Sequence, residues 1–122
     1  MKHALTVLLL TAAVTALIAT AQAATPPVGT LPKGPLTTIT SQAQGYVSVV
    51  LNRGQSGLIW RIARPYNTQI IVLTAKTNLG DLTLWVFRTI KPGTTTLRYA
   101  LTHNQEPKAY QAATYQLIIQ PR

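Results

Sequence analysis

Cysteine is absent from the chain, and acidic residues nearly so: eleven lysines and arginines stand against two carboxylates and two histidines. His3 falls in an N-terminal segment that reads as a removable signal. The remainder therefore offers one aspartate (Asp81), one glutamate (Glu106) and one histidine (His103). General acid–base catalysis needs a titratable pair, covalent catalysis needs a nucleophile beside a base, and a protein metal site needs three or four ligands. A serine triad would have to use His103 and Asp81, and no nucleophile signature surrounds any serine. The composition points away from an enzyme, with no catalytic residue, metal site or cofactor expected. It points to a protein that binds something. With no disulfide to staple it, the fold must rest on its core alone.

The N-terminus sets an expectation of export. Met1-Lys2-His3 is a short basic start, Ala4 to Ala19 is apolar apart from threonines, and Ala21-Gln22-Ala23 has the small-x-small form that signal peptidase reads. Residues 1–23 are read as a signal peptide cleaved after Ala23, in preference to a transmembrane anchor, because threonines dilute the stretch and a cleavage site follows at once. No cysteine follows it, which argues against a lipoprotein. The expected product runs from Ala24 to Arg122 and is periplasmic or secreted, with no transmembrane anchor after cleavage. It keeps ten basic and two acidic residues, a net charge of +8. Such a surface attracts anionic partners in general. The basic residues are scattered without a run of three, and no motif supports a specific nucleic-acid site.

Residues 24–35, ATPPVGTLPKGP, hold half of the eight prolines. A segment of this kind favours extended backbone and cannot join a central strand, so it reads as a lead or tether before the domain proper, residues 36–122. From there the pattern is strand, turn, strand. Leu36 to Thr40 is a weak strand. Val47, Val49 and Leu51 share one face of the next, and Leu58, Trp60 and Ile62 one face of a third. Gln69 to Thr74 is a short β-branched run, and Leu82 to Ile90 is apolar on both faces. Leu97, Tyr99 and Leu101 alternate with Arg98, Ala100 and Thr102, and Tyr115, Leu117 and Ile119 alternate in turn with polar or aliphatic neighbours. Turn chemistry separates them at Asn52-Arg53-Gly54, Arg64-Pro65-Tyr66-Asn67, Asn78-Leu79-Gly80-Asp81 and Lys91-Pro92-Gly93. Ala109 to Ala113 reads as a brief helical turn. About seven short strands at this spacing imply an all-β, immunoglobulin-like antiparallel sandwich.

Trp60 is expected in the core from its parity with Leu58 and Ile62, and Trp85 with Phe87 on one face of the long strand. That strand is either central with both faces covered, or it exposes an apolar strip to a partner. The sequence leaves this open.

From Leu51 onward the order of these pieces resembles the chagasin-type inhibitors of cysteine proteases. The first inhibitory loop of that family is Asn-Pro-Thr-Thr-Gly followed by an aromatic, with Trp three residues after the Gly. Arg53-Gly54-Gln55-Ser56-Gly57-Leu58-Ile59-Trp60 keeps the Gly, the Trp and their spacing, with Ser56 standing for one Thr. The Pro and the aromatic are absent. The second loop is Gly-x-Gly-Gly ahead of a long strand; Asn78-Leu79-Gly80-Asp81 falls there with one glycine. The third is Arg-Pro-Trp after a glycine and a strand of the form x-x-x-Leu-x-x-x-Tyr. Gly93-Thr94-Thr95-Thr96-Leu97-Arg98-Tyr99-Ala100-Leu101 is similar to that approach, but His103-Asn104-Gln105 replaces the motif itself. Tyr115 to Ile119 resembles the last strand. The resemblance covers about 70 residues.

The resemblance implies an immunoglobulin-like sandwich whose loops occlude the cleft of a papain-type cysteine protease. Gln55, Ser56 and Gly57 would form the central wedge, with Asn78 and Gly80 on one side and His103, Asn104 and Gln105 on the other. The alternative from a different class is a periplasmic or secreted structural module, joining an envelope partner through an edge strand or the apolar strip of residues 82–90. Clustering of the three loops at one end favours the first.

Overall fold

Apolar residues that alternate at period two bury one face of Tyr46–Asn52, of Leu82–Thr89 and of much of Gly93–His103, and seven strands form among the described residues. The computed structural model describes residues 27–54 and 57–122. The strands are β1 (Leu36–Gln42), β2 (Tyr46–Asn52), β3 (Leu58–Ile62), β4 (Ile71–Leu79), β5 (Leu82–Thr89), β6 (Gly93–His103) and β7 (Ala109–Gln120), with no helix among the described residues. They make two sheets, one ordered β1-β7-β6-β3 and the other β2-β5-β4. Every pairing is antiparallel except β1 with β7, which run parallel. The Ala43-Gln44-Gly45 turn carries the chain from β1 in one sheet to β2 in the other. Gln44 takes a φ of 64° there and donates its amide to the Thr89 carbonyl.

The expected faces meet between the sheets. Val47, Val49, Leu51, Trp85 and Phe87 form the inner surface of one sheet, and Leu97, Tyr99, Leu101, Leu117 and Ile119 come from the other. Trp85 and Tyr99 stack tilted at 4.7 Å between centroids, with Tyr115 edge-on to Tyr99 at 5.8 Å. Both tryptophans are buried. Burial of each such side chain contributes about 1.5–3 kcal/mol, enough collectively to hold a domain with no disulfide.

Three expectations change. Ala109 to Ala113 is not a helical turn but the start of β7, because pairing with β6 supplies its backbone hydrogen bonds and overrides alanine's helical preference. β4 continues past Thr74 to Leu79, after a bulge that shifts the register between Leu73 and Ala75. Its second half, residues 74–79, is exposed on both faces and so shows no alternation. The lead is no free tether over residues 27–35. Val28 is buried against Ala63 and Ala100, Gly29 donates to the Pro107 carbonyl at 2.8 Å, and Arg64 donates to the carbonyls of Val28 and Gly29.

The long strand resolves as a central strand with unequal faces. β5 lies between β2 and β4, with Thr83, Trp85, Phe87 and Thr89 buried inward and Leu84 and Val86 half-buried outward. Val50, paired with Leu84, is exposed beside them on the outer face.

Candidate interaction site

The loop after β2 is built from its first residues upward. Asn52 accepts the Gly54 amide on its side-chain oxygen at 2.8 Å, the local closure that Asn favours in turns. Its carbonyl accepts Trp60 Nε1 at 2.9 Å, so the core tryptophan also pins the loop from below. The Arg53 amide donates to the Asp81 carbonyl at 2.7 Å, and its guanidinium donates to the Gly80 carbonyl. The first loop is thereby fastened to the second.

The second loop is tighter than the sequence implied. Leu79 pairs with Leu82, leaving Gly80 and Asp81 as a two-residue hairpin turn. Gly80 has a φ of 62° at the first turn position, the glycine position of a type II′ turn. Asn78 lies in β4 rather than in the loop, where its side-chain oxygen accepts the Thr83 hydroxyl at 3.0 Å. Leu79 and Leu82 flank the turn, 55% and 38% exposed.

The third loop joins from the other side. Leu58 pairs with His103 at the end of the β3–β6 ladder, and the Asn104 amide donates to the Gly57 carbonyl at 3.3 Å. Gly57 has a φ of 84°, and a Cβ there would stand 3.6 Å from His103 Nε2. Asn104 takes a φ of 52°, in the region that asparagine tolerates. His103 Nδ1 lies 3.7 Å from a Glu106 carboxylate oxygen, both side chains at least half exposed. The loop is braced from beneath by Arg61, which is buried: Nε donates to Thr102 Oγ1 at 3.0 Å and a terminal nitrogen to the Glu106 carbonyl at 2.8 Å. Thr102 passes the link on, donating to the Asn104 carbonyl at 2.8 Å.

Arg53 ties the first loop to the second and Gly57 ties it to the third, so the described residues of the first loop stand between the other two. Gly57 and Asn104 are hydrogen-bonded to each other, Gly80 forms the turn tied to Arg53, His103 ends β6, and Gln105 is exposed in the third loop. Gln55 and Ser56 lie outside the described residues. Sequence reading missed Arg53, whose role as a strut follows from no motif. It also missed Arg61, which looked like an outward, solvated charge, and Tyr110, which the supposed helical turn concealed. Arg53, Leu58, Leu101, His103, Tyr110 and Gln111 enclose a groove of about 510 Å³ beside the loops. No group of three His, Cys, Asp or Glu side chains able to hold a metal occurs among the described residues.

No family model and no curated protein matches the sequence. Among solved structures, the chain is similar to the cysteine protease inhibitor EhICP2 from Entamoeba histolytica, with a TM-score of 0.55 over 73% of this chain and 99% of that one, at 19% identity. The fold is chagasin-like. It is also similar to PbICP-C, solved in complex with falcipain-2, with a TM-score of 0.45 and 17% identity over 79% of this chain and 97% of that one. On the chagasin-like scaffold, Arg53, Gly54 and Gly57 of the first loop share one end with the Gly80-Asp81 turn and residues 103–105. Gly57 lies three residues before Trp60, the glycine beside His103 and the tryptophan in the core.

Proposed function

We propose that this chain is a non-enzymatic inhibitor of papain-type cysteine proteases and works by loop occlusion of the active-site cleft. The observation that carries the reading is the hydrogen-bonded convergence of the three loops on a chagasin-like sandwich, a fold whose solved neighbour EhICP2 is described as a cysteine protease inhibitor. Inhibition here needs no chemistry from the protein. A wedge around Gly57 enters the cleft, the Gly80 turn and the His103–Gln105 loop rest on its walls, and the catalytic thiol is covered without reacting. Preformed ties between the loops matter because ordering them on binding would cost affinity. The signal-like N-terminus adds that the inhibitor acts in the periplasm or outside the cell. Titration against a panel of papain-like enzymes tests the reading: competitive inhibition is expected, and no inhibition of any enzyme at micromolar concentration refutes it.

A second reading is favoured by the outer face of the β2-β5-β4 sheet, where Val50 on β2, Leu79 on β4 and Leu82 on β5 are exposed. That face suits a structural module that joins an envelope partner. Val50→Lys separates the two, because it alters this face and leaves the loop end untouched.

A further inference from the structure

The third loop carries no aromatic side chain, yet the end of the sandwich to which it belongs presents one. Tyr110 is 47% exposed and comes from β7, beyond the loop. Leu101 pairs with Gln111 and Thr102 with Ala109, which leaves Tyr110 as the extra residue of a bulge. A bulge interrupts alternation and re-aims a side chain. Here the tyrosine lines the groove beside the first and third loops together with Arg53, Leu58, His103 and the buried Leu101. Lys108 Nζ stands 4.9 Å from the ring centroid, a cation–π contact that holds the ring while leaving about half of it in water.

A rigid, half-exposed aromatic beside a concave, partly apolar pocket is the arrangement that dominates the energetics of protein interfaces. We propose that Tyr110 and the groove it walls are the principal anchor for the protein partner. The ring packs on the partner's surface at the rim of its cleft. The groove receives an apolar side chain of the partner against Leu58 and Leu101. The cations at the rim (Arg53 and Lys108) suit a partner surface with acidic residues around that side chain.

This inference rests on the inhibitor reading, and its test separates the two. Inhibition constants are measured for wild type, Tyr110→Ala, Tyr110→Phe and Tyr46→Ala against a papain-like enzyme, with circular dichroism confirming the fold. Tyr46 is the control: it is 66% exposed and starts β2, at the end away from the loops. Tyr110→Ala is expected to weaken inhibition about 30-fold or more, the size of an interface hot spot, whereas Tyr110→Phe and Tyr46→Ala stay within about threefold of wild type. A folded Tyr110→Ala that inhibits like wild type overturns the anchor and leaves the inhibitor reading standing. Absence of inhibition by wild type overturns both. If Tyr110→Ala does not fold, nitration of wild type by tetranitromethane decides the point. Protection of Tyr110 in the complex with Tyr46 still reactive supports the anchor, and equal reactivity of Tyr110 free and bound overturns it.

Discussion

The amide of Asn104 donates to the carbonyl of Gly57, so the first and third loops are one hydrogen-bonded unit. Gly57→Arg tests what that unit does. The φ of 84° is strained for any side chain, and the new residue would project beside His103. We expect a stability loss of about 1–2 kcal/mol and at least a tenfold loss of protease inhibition from a variant that circular dichroism shows to be folded. Unchanged inhibition would place the wedge elsewhere on the loop edge.

Trp60 joins core to loop, being 4% exposed while its indole nitrogen holds the Asn52 carbonyl. Trp60→Ala is expected to cost about 3–5 kcal/mol in urea denaturation, as large core aromatics do. Trp60→Phe keeps most of the packing and loses the hydrogen bond, at about 1 kcal/mol. A midpoint unmoved by Trp60→Ala would contradict the packing described.

Arg61→Met removes the brace under the third loop while keeping an aliphatic stem. Two charge-assisted hydrogen bonds, to Thr102 and the Glu106 carbonyl, disappear, with an expected cost of about 1.5–3 kcal/mol. Amide exchange of Asn104 and Glu106 should accelerate more than exchange in β5, which the brace does not touch. Uniform acceleration throughout would mean that Arg61 supports the fold in general rather than the loop.

Tyr99 predicts an alkaline weakness. Its hydroxyl is buried without a hydrogen-bond partner among the described residues. Burial first, and then the neighbouring Tyr115 and Tyr66, push its pKa well above the usual tyrosine value. A phenol whose pKa is higher folded than unfolded stabilises the fold fully below about pH 10, its unfolded value, and loses that contribution as pH rises further. The denaturation midpoint should therefore fall above pH 10. Tyr99→Phe should soften that fall and raise stability at neutral pH by about 1 kcal/mol, by removing an unsatisfied hydroxyl. A variant less stable than wild type at both pH values would show that the hydroxyl has a partner after all.

Export is tested by mass. Intact-mass measurement of the protein recovered from periplasm or medium is expected to give a chain starting at Ala24. Recovery of the full-length chain in the membrane fraction would contradict the signal-peptide reading.

Strand positions were legible wherever one face is buried. Val47, Val49 and Leu51 on β2, and Leu97, Tyr99 and Leu101 on β6, alternate because the facing sheet demands it. The signal vanishes after the bulge at Thr74, where residues 75–79 pair with β5 yet are exposed on both faces. At the site, Gly57 and Gly80 could be read because positive φ selects glycine. Arg61 could not be read, since a charge at outward parity looks solvated until a loop folds over it. Tyr110 was hidden by the bulge, which displaces it from the alternation that surrounds it.

The parallel ladder between β1 and β7 has a bearing on how the molecule is assembled in time. It joins strands from opposite extremes of the domain, from Leu36 with Thr114 to Gln42 with Gln120. Because β7 also pairs with β6, it is an interior strand of its sheet. A chain emerging vectorially can zip β2, β4 and β5 together early, but the four-stranded sheet has no middle until β7 arrives. Closing so distant a contact is entropically slow. Until then β1 and β6 expose unpaired edges, and cooperative protection of the core should appear only once Gln120 has been reached.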